Sequence, residues 1–217
     1  MACYTNAMDS DNAPAPKRAG RPRAFDREQA LNTAMDLFWR HGFEGTSTAQ
    51  LTAAIGIAPP SLYAAFGSKE ALFREALALY GQRYGGFLSQ PMSGTGSARA
   101  AIEQMLQAAA RQFADARHPL GCMVAAGELQ ASAAQGTLVA EVAERRQAAQ
   151  LTIRARLNRA RQDGELPADS DTATLAAYFA MVVQGLAVQA RDGAKPVLLK
   201  RLADLAMQAW PESPATG

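Results

Sequence analysis

Lys17, Arg18, Arg21 and Arg23 place four positive charges between Asn12 and Phe25 with no acid among them. Within this run Gly20-Arg21-Pro22-Arg23 carries Gly and Pro, which discourage helix and leave an extended arm. Such an arm can lie along the narrow minor groove of DNA, where concentrated negative potential attracts arginine. A solubilising tail has the same composition, and only the element that follows decides between the two. Catalytic chemistry has less to work with. The two histidines, His41 and His118, and the two cysteines, Cys3 and Cys122, form no ligand set and no disulfide framework. No nucleophile with its base and no phosphate loop is evident, so the expectation is a non-enzyme without cofactor or metal.

The chain of 217 residues is 48% hydrophobic and 19% charged, enough to bury a sizeable core, which excludes wholesale disorder. Its 22 Lys+Arg and 20 Asp+Glu give a net charge of +2, so any nucleic-acid surface must come from local clustering. No run approaches the roughly 18 to 20 uninterrupted apolar residues of a membrane span, and the polar start lacks the basic-then-apolar order of a signal peptide. A soluble, cytoplasmic protein with no membrane partner is expected.

After residue 25 nearly every segment reads at the helical period and alternating β-branched runs are missing, so the fold class is all-α. Asp26 and Gln29 stand in capping-box register ahead of a helix with Ala30, Leu31, Ala34, Met35, Leu37 and Phe38 on one face, stopped by Gly42. Ser47 and Gln50 repeat the register before a short helix that buries Leu51, Ala54 and Ile55 and ends at Gly56. Pro59 and Pro60 suit only the first turn of a third helix carrying Ser61, Leu62, Tyr63 and Phe66, which completes a helix-turn-helix. Gly67 breaks it, and Ser68 caps a fourth helix with Leu72, Phe73, Ala76, Leu77 and Tyr80 as its stripe, loosened at Gly85 and Gly86. A loop is expected over 89–96, then a helix with Ile102, Met105, Leu106, Ala109 and Phe113 inward. Helices over about 121–134, 137–163, 171–192 and 196–210 bring the count to nine.

The residues Gly45-Thr46-Ser47-Thr48, Leu51, Ala54, Gly56-Ile57, Ser61-Leu62-Tyr63, Phe66 and Ser68-Lys69-Glu70-Ala71-Leu72 fall in one order over 26–72. This pattern resembles the DNA-binding signature of TetR-type transcriptional repressors. The resemblance implies an N-terminal three-helix DNA-binding domain over 25–72, after a basic arm over 1–24. It implies a helical effector-binding and dimerisation domain over 73–212, followed by a tail over 213–217. Thr48, Ser61 and Tyr63 offer hydroxyl donors to phosphates, and Lys69 lies at a helix N-terminus that favours anions. Departures from the family pattern are Ala49, Ala58 and Ala64-Ala65, which leave the recognition helix poor in hydrogen-bonding side chains. Base reading then falls on Ser61, Gln50 and Thr52, on methyl contact from Ala64 to thymine, and on Arg21 and Arg23 of the arm.

One helix-turn-helix reads too few base pairs to discriminate in a genome, so a homodimer on a pseudo-palindromic, double-stranded operator is expected. The last two helices, with Leu175, Tyr178, Phe179, Val182, Gly185 and Leu186, and Leu198, Leu199, Leu202, Leu205 and Trp210, are the expected interface; the resemblance implies a four-helix bundle there. It also implies a small-molecule effector pocket among the middle helices, for which Phe87, Met105, Phe113, Met123, Tyr178 and Met181 are the candidate lining, and Glu128 and Gln184 the polar anchors. Cys122 follows Pro119-Leu120-Gly121 and is expected in the first turn of a helix, whose dipole would favour a thiolate able to sense an electrophile or oxidant. A small buried apolar residue is the alternative for Cys122. The expected function is therefore a ligand-responsive repressor released from its operator by an effector. The alternatives are a ligand-independent architectural DNA-binding protein and a thiol-based sensor.

Overall fold

The computed structural model describes residues 26–125 and 136–211. Among them are nine α-helices, one closing 3-10 turn and no strand. The basic residues Lys17, Arg18, Arg21 and Arg23, and Glu128, lie outside the described residues.

Local signals set the N-terminal head. Helix α1 (Arg27–His41) starts where the Asp26 carboxylate accepts from the Gln29 amide at 3.0 Å, and it stops at Gly42. Helix α2 (Thr48–Ile55) carries a complete capping box: Ser47 accepts from the Gln50 amide at 3.1 Å, and Gln50 accepts from the Ser47 amide at 2.7 Å. Gly56 then turns left-handed at φ 78° and Pro59 opens α3 (Pro59–Phe66). Between α1 and α2 the buried Thr46 hydroxyl donates to the Gly42 carbonyl at 2.7 Å, tightening the corner. Phe38, Phe43 and Phe73 meet at 5.1 to 6.1 Å between ring centroids, and Leu51, Leu62, Phe66 and Leu72 close the core around them. Ala54 departs from expectation: it is exposed, and Thr52 is the buried residue of that turn. Two turns of helix offer one narrow inward stripe, which Leu51 and Ile55 fill.

Helix α4 (Lys69–Tyr84), capped by Ser68, belongs to both halves of the protein. All five residues of its expected stripe are buried. It continues at Gly85 into α5 (Gly86–Ser93), so the helix runs through part of the expected 89–96 loop. Pro91 lies inside α5; burial of Met92 and packing against α6 (Ala98–Phe113) outweigh its missing amide. Helices α7 (Gly136–Gln162), α8 (Thr172–Arg191) and α9 (Pro196–Ala206) complete the body, with α6 at the centre against α5, α7, α8 and α9.

The helix expected over 121–134 does not begin at Gly121, because residues 121–125 form a bend and a turn. Gly121 is left-handed at φ 79°, and its amide returns to the Phe113 carbonyl at 2.9 Å, folding the chain back onto the end of α6. This approach is close: a Cβ on Gly121 would lie 2.7 Å from the Ala187 carbonyl oxygen of α8. Gly121→Ala therefore combines a left-handed backbone with a backbone clash and should cost about 2–4 kcal/mol. A urea midpoint unchanged from the parent would show that this corner yields.

Candidate nucleic-acid interface and effector cavity

Helix α3 turns Leu62 and Phe66 into the head and Ser61, Tyr63 and Ala64 outward. Tyr63 is 47% exposed, while Phe38, Phe43, Phe66 and Phe73 of the same head are buried. An aromatic left outside such a core keeps its hydroxyl for another partner. Thr48 is half-buried at the start of α2. Gln50 is exposed, but its side-chain oxygen is occupied by the Ser47 amide, which leaves only its NH₂ to donate. Thr52 faces inward, donating to the Thr48 and Ala49 carbonyls at 3.0 and 3.1 Å, so the base-reading role expected of it has no free hydroxyl hydrogen. Lys69 is the first residue of α4, and its Nζ lies 4.2 Å above the Phe43 ring, a cation–π contact.

The head is tied to the body at several points. Arg27 pairs with Glu75 of α4 at 2.7 Å and lies 4.6 Å from the Phe66 ring centroid. Arg83 of α4 reaches back to Glu28 at 3.5 Å and to Asn32. Trp39, at the end of α1, stacks on His118 at 4.6 Å and meets Tyr80 and Tyr84 edge-on at 4.7 and 4.8 Å. Arg191, the last residue of α8, donates to the Trp39 and Arg40 carbonyls at 3.1 and 3.0 Å, satisfying acceptors that the end of α1 leaves open.

Beside this joint lies a cavity of about 340 Å³, bounded by α4, α5, α7, α8 and the turn at 122–125. Phe87 and Gln184 of the candidate lining are on its wall, and Cys122 joins them there. The other candidates in the described residues do not. Met105, Phe113 and Met123 are buried in the core, where Phe113 packs edge-on against Phe87 at 5.3 Å. Tyr178 packs on Phe179 at 5.3 Å, and Met181 is 60% exposed on the outer face of α8. The lining that was not expected includes Tyr80, Arg145, Arg146, Ile153 and Val183. A signal for Arg146 existed: it falls at helical spacing with Val142, Ala149, Ile153 and Leu157, a charge within an otherwise apolar stripe.

Cys122 is buried in the turn over 122–125, and no helix among the described residues begins there. Its sulfur accepts from the Tyr80 hydroxyl at 3.2 Å and from the Ala125 amide at 3.4 Å. Burial, and then the neighbouring Cys122, push the Tyr80 phenol well above its ordinary value. Among the described residues no group of three or more His, Cys, Asp or Glu side chains could hold a metal ion.

A short helix pair with an exposed second helix, ahead of an all-helical body, defines a helix-turn-helix regulator fold. The profile described as bacterial regulatory proteins, tetR family, matches residues 30–76, and that of the tetracyclin repressor-like C-terminal domain matches residues 98–205. The HTH-type transcriptional repressor ComR of Escherichia coli (strain K12) is 33% identical over 207 residues, 94% of this chain and 99% of ComR. The HTH-type transcriptional repressor BdcR of the same strain is 40% identical over 108 residues, 50% of this chain and 55% of BdcR. Among solved structures, a cysteine mutant of the TetR family transcriptional regulator CifR, complexed with 26bp double-strand operator DNA, superposes with a TM-score of 0.83 at 42% identity, covering 88% of this chain and 100% of that one. The chain belongs to the TetR family of transcriptional regulators.

The buried phenol yields a pH expectation. A tyrosine whose folded pKa is raised contributes stability that is complete below the unfolded value near 10 and is lost as pH rises through the folded value. Denaturant midpoints should therefore fall as the pH rises above about 10, and Tyr80→Phe should flatten that decline. Parallel declines in parent and variant would assign the loss to other groups.

Proposed function

We propose that this protein is a homodimeric repressor that binds a two-fold, double-stranded operator through α2 and α3 and leaves it when a small molecule fills the cavity beside Tyr80. The observation that carries the DNA half is the outward Tyr63 on α3, flanked by Ser61 and Ala64, with Lys69 at the next helix start. Tyr63, Thr48 and Lys69 contact phosphates, whereas Ser61, the Gln50 amide and the Ala64 methyl meet base edges. Arg21 and Arg23 enter the flanking minor groove. Small side chains on α3 give few bidentate contacts, so DNA shape carries much of the preference.

The outer face of α8 and α9 supports the dimer. Met181, Val188, Val197, Leu198 and Leu205 are exposed there, and Thr174, Ala177 and Gly185 continue the α8 stripe with small side chains. Leu198, Leu205 and Gly185 of the expected interface are thus available, whereas Phe179, Leu186, Leu199 and Trp210 are spent on the protomer's own core. Over an 18-residue window α8 has a mean hydropathy of 1.5, enough by length and composition for a membrane span. In a TetR-family body, with α6, α7 and α9 packed on its other sides, its open face suits a second copy forming a four-helix bundle.

The effector half rests on the position of the cavity. Tyr80 and Gly81 place one wall on α4, whose first turn carries Lys69, and Val183 and Gln184 place another on α8, which ends at the Arg191 clasp on α1. A ligand that fits only one arrangement of these helices shifts operator affinity by linkage. A ligand-independent architectural role would leave operator affinity indifferent to every small molecule. Footprinting on the protein's own upstream DNA, with and without candidate ligands, separates the two.

Lys69→Ala should weaken binding about equally on all sequences and lower the slope of log affinity against log salt by about 1. A slope unchanged within error would remove its phosphate contact. Met181→Glu, which places a charge on the outer stripe of α8, should shift the protein from dimer to monomer in sedimentation and weaken operator binding at least about tenfold. A dimer that persists in both Met181→Glu and Leu205→Glu would place the interface elsewhere.

A further inference from the structure

The charges around the cavity are one-sided. Arg145 and Arg146 line it, and among the described residues no carboxylate does. Arg145 is exposed, which places it at the rim, and the natural helical partner one turn back, Glu141, is already bound through both oxygens to Arg74 Nε at 2.9 Å. Glu144 is exposed and does not line the cavity. Arg146 is half-buried, and its Nη1 donates to the Val124 carbonyl at 3.2 Å, which fixes the guanidinium in the wall while leaving other N–H groups to donate. The remaining walls are largely apolar, with Phe87, Leu88, Ile153 and Val183 forming much of the surface.

Resting on the reading of this cavity as the effector site, we propose that its ligand is an apolar monoanion. The acidic group lies against Arg145 and Arg146, and the hydrocarbon body lies on Phe87, Leu88, Ile153 and Val183. A planar carboxylate matches the guanidinium fork, and partial exclusion of water strengthens the pairing. A cation meets two guanidiniums with no counter-charge among the described residues of the lining, and is disfavoured. A polyanion or a polyol would desolvate groups that the apolar wall cannot satisfy. At about 340 Å³ the cavity is near the lower end of the range for small-molecule sites, ~300–1,000 Å³, which favours a compact chain or ring over an extended conjugate.

Titration calorimetry on the full-length protein with octanoate, octane-1-sulfonate, octan-1-ol and octylamine tests this. Octanoate should bind at least about tenfold tighter than octanol, and octylamine more weakly than octanol. Equal strength of octanoate and octanesulfonate would define the head group as any monoanion; preference for octanoate would narrow it to a carboxylate. Arg145→Ala should bring octanoate to the octanol level, and Arg145→Lys should retain part of the difference. Val183→Trp, or Ala149→Phe should that variant not fold, should abolish binding of all four by filling the cavity. Octanol binding as tightly as octanoate, binding unaffected by the filled cavity, or no binding by any of the four would each overturn the proposal. Operator release by octanoate is read separately: tight binding without release would leave the ligand class intact and sink the effector reading.

Discussion

Trp39 is the point on which both halves of the protein turn. It is 2% exposed, stacked on His118 and enclosed by Tyr80 and Tyr84, and the carbonyl of the same residue accepts from Arg191. Four separate pieces of chain therefore meet at the end of α1: α1 itself, α4, the segment after α6, and the last residue of α8. Close-packed aromatic contacts of this kind rearrange between discrete packings rather than deforming smoothly. The arginine adds direction, because a cation at the end of a helix is held both by open carbonyls and by the helix dipole.

The rest of the architecture follows from sharing α4. Its 16 residues span about 24 Å, with Lys69 beside Phe43 in the head and Tyr80 and Gly81 at the cavity wall. The ion pairs Arg27–Glu75 and Arg83–Glu28 fasten α1 to α4 along this length. These pairs are partly exposed and each contributes modestly; the apolar seam of Phe38, Phe73 and Tyr80 holds the two helices together. Arg146 is a further tie, joining α7 to the turn that holds Cys122. The same segment carries His118, which stacks directly on Trp39.

Where the chain punctuates itself, its structure was legible. Asp26, Ser47, Gln50, Gly56 and Ser68 act through short-range hydrogen bonds and left-handed turns that depend on neighbours three or four residues away. The all-α class and the stripes of α4 and α6 were legible for the same reason, since helical period is a local property. The cavity was less so. Periodicity says that Met105 and Phe113 face inward, but not whether they meet another side chain or open space; both turned out to be fully packed. Met181 sat on an apolar stripe that faces out rather than in, a distinction set by which side of α8 its neighbours cover. The Pro91 helix and the turn at Gly121 were missed because tertiary packing and a close backbone approach overrode the local signal of proline in one case and of an apparent helix start in the other. Thr52 looked like a reader because its type suits DNA, and its burial depends on how a two-turn helix sits against α1.

The outward faces of α2 and α3 carry Ala49, Ala53, Ala54, Ala58 and Ala64, none of which contributes to the buried core of the head. The packing of the head therefore rests on other residues than these. A larger or more polar side chain can be introduced at these positions without disturbing Leu51, Leu62 or Phe66, so this surface can change its chemistry while the scaffold, its joint at Trp39 and its cavity stay as they are.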